Sequence, residues 1–132
     1  MMIFAQNAQH LGVKNVALIL SDWFSELSGQ RFDVIVSNPP YVATGDPHLS
    51  QGDVRFEPLE ALAAPDLLGL DCIRSIVECA PGYLNKSGWL LLEHGYDQAQ
   101  VCCNLLRQSG FERIATANDL TGIPRVSGGR LA

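Results

Sequence analysis

The sequence predicts an α/β fold whose sheet has a parallel core. Three observations carry this prediction. Short apolar runs of strand composition alternate with stretches of helical periodicity, one of these runs is apolar without interruption, and 132 residues suffice for one domain with a hydrophobic core. An uninterrupted apolar run is typical of a strand that helices cover on both faces. We therefore expect strands and helices to alternate along a single domain.

The first predicted elements are a helix and a buried strand. Residues 3–11 have apolar positions at helical spacing, and Gly12 follows as a C-terminal stop. Residues 16–20, VALIL, are the uninterrupted run and predict a strand. The strand ends at a polar and aromatic cluster, Asp22 and Trp23, after which residues 25–31 form a polar turn.

A second buried strand is predicted at residues 32–37, FDVIVS, and two consecutive prolines end it. The four residues that follow are Asn38, Pro39, Pro40 and Tyr41. Each proline fixes its own φ and restricts the residue before it, so this segment is rigid before any tertiary contact forms. It presents carbonyl oxygens, an amide and an aromatic face, which suit a planar –NH2 group. The alternative is that Asn-Pro-Pro merely ends a strand.

The remaining elements alternate in the same way. Residues 42–65 are rich in loop-forming residues and longer than a simple connection requires, which is typical of a functional loop. Helical spacing then predicts an amphipathic helix at 68–80, closed by Pro81. The elements predicted after it are a strand at 89–92 ending in Glu93 and His94, a helix at 97–109 stopped by Gly110, and strands at 111–117 and 126–131.

Polar clusters follow three of the predicted strands. They are Asp22 with Trp23, the segment 38–41, and Glu93 with His94. Because ligands of open α/β sheets bind beyond the carboxyl ends of the strands, we expect the three clusters to share one rim. A histidine at a strand end is more often structural than a general base, so we assign His94 no catalytic role.

Composition argues against several other functions. The formal charge is −5 and no basic run is present, which argues against a duplex nucleic acid as direct partner. Four cysteines occur without a C-x-x-C pair and without histidines at metal spacing, so no metal site is predicted. No apolar run approaches the roughly 20 residues of a membrane span, and the start lacks the pattern of a secretion signal. These features favour a cytoplasmic location.

The sequence NPPY after an apolar strand resembles the substrate-amide motif of methyltransferases that modify –NH2 groups. Further segments resemble the peptide chain release factor N5-glutamine methyltransferases: QNAQHLGVKNV at 6–16, SDWF at 21–24, DPHLSQGDVRFEPLEAL at 46–62 and GWLLLEHGY at 88–96. The resemblance implies a Rossmann-like class I S-adenosylmethionine-dependent methyltransferase fold. It also implies that S-adenosylmethionine is the cofactor and that the substrate is the glutamine of the Gly-Gly-Gln motif in release factors.

The resemblance also implies roles for individual residues. Asp22 and Trp23 would lie by the adenine of the cofactor, although either could instead be a cap or a core residue. The Asn38 side-chain oxygen and the Pro39 carbonyl would accept hydrogen bonds from the substrate amide, and Tyr41 would cover its face. Pro40 belongs to the same substrate-binding segment. Asp53, Arg55 and Glu57, in the stretch 46–62, would lie on a substrate-side loop.

Two features of such enzymes have no counterpart here. No G-x-G precedes the NPPY strand, and no acidic residue follows a second strand to hold the ribose. Residues 1–132 therefore resemble the C-terminal part of a catalytic domain, without the first two strands, the glycine-rich loop and the N-terminal helical domain. The open strand edges would then favour self-association. Two alternatives remain: an adenine-N6 nucleic acid methyltransferase, and a non-catalytic remnant that does not bind cofactor.

Overall fold

The computed structural model describes residues 2–43, 58, 62–64, 66 and 68–132. Two compact units make up the chain, Met1–Gln30 and Arg31–Ala132. None of the described helices is long and apolar enough to cross a membrane.

In the first unit, helix α1 spans Met2–His10, as predicted. It ends in a Schellman motif: the Val13 N–H donates to the Ala8 carbonyl at 2.9 Å, and the Gly12 N–H donates to the Gln9 carbonyl at 3.1 Å. Gly12 has φ +67°, a left-handed conformation that glycine adopts without steric cost. The predicted stop is therefore confirmed.

The predicted strand at 16–20 is wrong. These residues have no regular secondary structure, and all five are exposed. Leu20 is 78% exposed. Strand structure requires a neighbouring strand to exchange backbone hydrogen bonds, and no described strand pairs with this segment. The apolar composition of residues 16–20 is therefore not enough to make this segment a strand.

The second unit contains a four-stranded sheet. Its strands are β1 (Phe32–Ser37), β2 (Leu84–Glu93), β3 (Phe111–Asn118) and β4 (Pro124–Leu131), in the spatial order β1-β2-β4-β3. β1 and β2 are parallel, whereas β4 is antiparallel to both of its neighbours. The α/β class is confirmed as a mixed sheet. Of the three described strand pairs, β1–β2 is parallel, as predicted for the core. The other two pairs are antiparallel, because β3 and β4 form a hairpin and β4 pairs with β2.

Two α-helices accompany the sheet, α2 (Asp71–Cys79) and α3 (Ala99–Gln108). Both confirm predicted helices. A short 3-10 helix, Ala80–Gly82, continues α2 and contains Pro81. Gly110 has φ +85° and stands just beyond α3, as expected of a C-terminal stop.

The core lies between these helices and one face of β2. Alternate β2 residues are buried, and Leu90 and Leu92 are completely inaccessible to solvent. The residues that complete this core are Ile73, Ile76 and Val77 of α2, Cys102 and Leu106 of α3, and Phe111.

β1 does not have the predicted burial. Val34 and Val36 are 52% and 73% exposed, since β1 is the last strand at one side of the described sheet and pairs with β2 alone. Half-exposed apolar residues on an edge strand agree with the expectation that a strand edge is left open.

Candidate functional site

The carboxyl ends of β1 and β2 lie side by side. The two strands are parallel, and Ser37 at the end of β1 is in register with Leu92 of β2. Asn38 and Glu93 therefore follow at the same end of the sheet. For the clusters at 38–41 and 93–94 the predicted common rim is confirmed, because parallel pairing places the residues after both strands together.

Asn38 is the exposed residue of the NPPY segment, whereas Pro39 is buried. Among the described residues, no group hydrogen-bonds to the Asn38 side-chain amide or to the Pro39 carbonyl oxygen. Pro40 and Tyr41 are partly buried. The segment thus has a buried backbone at Pro39 and an exposed amide side chain at Asn38.

Tyr41 is attached to the neighbouring strand through its side chain. Its hydroxyl donates a 2.8 Å hydrogen bond to Oε1 of Glu93. Burial raises the pKa of the Tyr41 hydroxyl, and the hydrogen bond and negative charge of Glu93 raise this pKa further, whereas Arg125 lowers it. The phenol therefore stays protonated at neutral pH and keeps Glu93 as its acceptor.

Gln98 connects the loops around the rim. Its Nε2 donates to the Tyr41 carbonyl at 3.0 Å and to the Leu68 carbonyl at 2.9 Å, while its Oε1 accepts from the Gly95 N–H at 2.8 Å. This residue was not predicted from the sequence. The available signal was a polar amide at the first turn of a helix that directly follows a strand-end glycine.

Gly69 makes the close approach of these loops possible. A Cβ at this position would overlap the Tyr41 carbonyl group, standing 2.8 Å from its carbon and 3.0 Å from Nε2 of Gln98. Gly69 also has φ +69°. Its missing side chain therefore leaves the space in which Gln98 reaches the NPPY segment.

His94 is a structural residue in this arrangement. It is completely buried, with Nδ1 2.8 Å from the Gly95 carbonyl and Nε2 2.9 Å from Oγ of Ser127. A carbonyl can only accept, so Nδ1 carries a hydrogen, and in the neutral ring Nε2 accepts from the Ser127 hydroxyl. With both nitrogens engaged inside the fold, the structure gives no support for a base at this position.

Asp22 and Trp23 lie in the first unit, in a tight turn. The Ser21 hydroxyl donates to the Trp23 carbonyl at 3.0 Å and accepts from the Glu26 N–H at 3.1 Å. Trp23 has φ +48°, which is uncommon for a non-glycine residue and costs about 1 kcal/mol. Its ring is 41% exposed, and the Asp22 carboxylate has no hydrogen-bond partner among the described residues.

The outcome for the other residues named from the sequence is limited by which of them the structure describes. Asp53, Arg55 and Glu57 fall outside the described residues, while Pro58 is exposed. The cysteines form no disulfide with one another, and burial raises the pKa of the Cys102 thiol to about 12. Within the part of the chain that the structure describes, no three His, Cys, Asp or Glu residues are grouped to hold a metal.

Comparison with known proteins identifies close relatives. The chain is 52% identical over 127 residues to the release factor glutamine methyltransferase of Pseudomonas aeruginosa, covering 96% of this chain and 46% of that protein. It is 48% identical over 125 residues to the Escherichia coli protein of the same name, covering 95% and 45%. The chain thus spans about half the length of the curated relatives it matches.

A solved structure also aligns with this one. It is the crystal structure of a release factor-specific protein-(glutamine-N5) methyltransferase from Alicyclobacillus acidocaldarius, with 27% sequence identity and a TM-score of 0.49, covering 78% of this chain and 50% of that one. No protein-family model matches the chain.

Proposed function

We propose a function from one premise: the chain belongs to the release factor glutamine methyltransferase family, whose curated members it matches over about half of their length. The function is transfer of a methyl group from S-adenosylmethionine to the N5 nitrogen of a glutamine side chain in peptide chain release factors. The observation that carries this proposal is the exposed Asn38 at the end of β1, whose side-chain amide has no hydrogen-bond partner among the described residues.

The chemical difficulty of the reaction lies in the substrate nitrogen. Its lone pair is delocalised into the amide carbonyl, the same resonance that keeps peptide bonds planar. Two acceptors placed in one plane can bind both N–H groups and leave the face of the nitrogen open. In the proposed mechanism the Asn38 side-chain oxygen and the Pro39 carbonyl are these two acceptors, on a backbone that two prolines restrict.

These acceptors also stabilise the transition state. S-adenosylmethionine, when bound, would supply the electrophilic methyl group and leave as S-adenosylhomocysteine, and positive charge would develop on the accepting nitrogen, so oxygen acceptors on its N–H groups would gain strength during transfer. The methylated nitrogen then loses a proton to water. No base beside the nitrogen is required, because this proton becomes acidic only after the methyl group has arrived.

Tyr41 closes the face of the substrate amide. Its ring direction is fixed by the 2.8 Å hydrogen bond to Glu93, so little side-chain entropy remains to be lost on binding. Pro40 has a fixed φ, which limits how far Tyr41 can move relative to the Asn38 side-chain oxygen and the Pro39 carbonyl.

Asp22 and Trp23 fit the adenine of the cofactor. The Asp22 carboxylate, which has no partner among the described residues, can accept from the adenine amino group, and the exposed Trp23 can stack its indole ring on the purine. The strained φ of Trp23 supports a functional role, since strain of this kind concentrates at ligand sites.

The wider setting follows from the same family. The chain corresponds to part of a Rossmann-like class I methyltransferase catalytic domain, and the stretch 46–62, most of which lies outside the described residues, is assigned to the substrate side by the resemblance alone. A cytoplasmic location suits an enzyme that acts on release factors.

Replacement of Asn38 tests the proposed role. We expect Asn38→Ala to reduce methyl transfer to a release factor about 100-fold or more, because it removes one of the two acceptors that orient the amide. The measurement is incorporation of labelled methyl groups. Asn104→Ala, on the exposed face of α3, is the control and should retain activity. Near-normal turnover of Asn38→Ala would contradict the mechanism.

Calorimetric titration of S-adenosylhomocysteine tests the cofactor site. We expect the protein to bind one equivalent, and Trp23→Ala to weaken binding by roughly 1–3 kcal/mol through loss of stacking on the purine. Equal affinity of the two proteins would remove Trp23 from the site. Absence of binding by the 132-residue chain would favour a non-catalytic remnant.

A further inference from the structure

Gln98 is a buried polar side chain that joins three separate parts of the second unit. It is only 7% exposed and stands at the start of α3. Its amide contacts the segment after β1 at Tyr41, the segment before α2 at Leu68, and the segment after β2 at Gly95. No other described side chain bonds to all three of these segments.

The contacts use both donor hydrogens of the Gln98 amide and one lone pair of its oxygen. One Nε2 hydrogen serves the Tyr41 carbonyl at 3.0 Å and the other serves the Leu68 carbonyl at 2.9 Å, with Gly69 a weaker acceptor at 3.4 Å. The oxygen of the same amide accepts from Gly95. A residue with only donors or only acceptors could not satisfy this set, so a side-chain amide is required, and glutamine supplies it at the length that reaches all three segments.

The Tyr41 contact acts on the NPPY segment as a whole. Two prolines separate Asn38 from Tyr41 and fix the backbone between them. The backbone from Asn38 to Tyr41 therefore has few free torsions, so a displacement of the Tyr41 carbonyl is transmitted to Pro39 and Asn38 more directly than through an ordinary loop. Glu93 accepts a separate hydrogen bond from the Tyr41 hydroxyl. Gln98 therefore holds the backbone of Tyr41, and Glu93 holds its side chain.

We propose that Gln98 is a positioning residue that sets the two substrate-amide acceptors, Asn38 and Pro39, by holding the Tyr41 carbonyl. This inference rests on the proposed function for its catalytic consequence. The claim that Gln98 holds the Tyr41 carbonyl does not depend on the proposed function, because the hydrogen bonds of Gln98 exist whatever the NPPY segment binds.

The first test uses the unsubstituted protein and needs no activity. The two Nε2 protons of Gln98 should give separate NMR signals that exchange slowly with water, since each is bonded to a buried or partly buried carbonyl. Gln100, exposed on the same helix, supplies the comparison. Exchange of the Gln98 amide protons as fast as those of Gln100 would overturn the proposal.

The second test is Gln98→Glu, which keeps the shape but places a second acceptor opposite two carbonyl oxygens. At pH 8 we expect kcat to fall on the order of 100-fold, with the affinity for S-adenosylhomocysteine little changed. Activity should recover as pH falls, because a protonated carboxyl can again donate to the Tyr41 carbonyl. Because a buried carboxylate can also unfold the protein until it is protonated, far-UV circular dichroism at pH 8 is the second readout: a spectrum equal to that of the unsubstituted protein assigns the loss to positioning, and a lost signal assigns it to unfolding. Gln100→Glu is the matched control and should behave as the unsubstituted protein.

A third variant, Gln98→Met, has similar length and no hydrogen bonds, so it should lose activity at every pH. Unchanged kcat in both variants, in a protein that methylates release factor, would overturn the inference alone. If the unsubstituted protein methylates no release factor, the proposed function fails. The claim that Gln98 holds the Tyr41 carbonyl is then still tested by the exchange of the Gln98 amide protons and by the chemical shifts of the Tyr41 and Val42 backbone amides in Gln98→Met. Unchanged shifts there would overturn it.

Discussion

The phenol of Tyr41 connects the end of β1 to the end of β2. It donates to Glu93 at 2.8 Å, and the two residues are 52 positions apart in the sequence. A neutral donor on a carboxylate is a charge-assisted hydrogen bond, roughly twice as strong as one between neutral groups. Loss of the phenol proton would replace this bond by repulsion between two anions, so the contact depends on pH.

We predict that Tyr41 titrates with a pKa above the ordinary value for tyrosine of 10.0. The folded-state pKa is raised by burial and by Glu93, so the stability contributed by the contact is fully present below about pH 10 and is lost as pH rises through the raised pKa. Tyrosinate absorbance of the protein minus that of Tyr41→Phe isolates this group. Glu93→Gln should lower its midpoint, and an unchanged midpoint would show that the carboxylate does not contribute.

At the scale of elements, the loop before α2 is adapted to the NPPY segment at Gly69. This glycine has both a left-handed backbone and no space for a methyl group beside the Tyr41 carbonyl. The fit between the two loops therefore depends on one missing side chain.

We predict that Gly69→Ala destabilises the fold by roughly 1–3 kcal/mol, as overpacked sites do, and displaces the Tyr41 backbone. Denaturant unfolding gives the first quantity, and amide chemical shifts of the NPPY segment report the second. Gly82→Ala is a suitable control, because a methyl group at Gly82 would have no heavy atom within 4 Å and the φ of this residue is not positive. Equal effects of the two substitutions would contradict the packing argument.

Elements with a local signal could be predicted, and those that depend on distant partners could not. The periodicity and stop residues of α2 and α3 are local, as is the proline pair after β1. The beginning of β2 at Leu84 was missed, because its first residues are polar and join the sheet only through pairing with β1. The segment 16–20 shows the reverse error, since an apolar run becomes a strand only beside another strand.

The candidate site divides in the same way. The rim shared by Tyr41 and Glu93 follows from parallel pairing and could be predicted from strand order. The contacts of Gln98 with the Tyr41 and Leu68 carbonyls could not be predicted, because they depend on the orientation of one side-chain amide in the folded protein. The proposed partnership of Asp22 and Trp23 with the cofactor stays a prediction.

At the scale of the whole molecule, apolar burial is unevenly distributed. Apart from Pro39, every fully buried apolar residue within the described ranges lies between Ala64 and Phe111. β1 carries two exposed valines, Val34 and Val36, and has strand β2 on one side only among the described strands. An edge of this kind can pair with a second edge from another copy of the chain.

We predict that the chain self-associates through β1 in a concentration-dependent way. Val36→Lys should shift the equilibrium toward the monomer, because a lysine on an edge strand opposes pairing with another copy. Sedimentation velocity over a range of concentrations measures the shift. Leu120→Lys replaces another exposed apolar residue, in the turn between β3 and β4, and controls for added charge. If Leu120→Lys disperses the protein as effectively as Val36→Lys, or if the unsubstituted chain is monomeric throughout, the β1 edge is not the site of association.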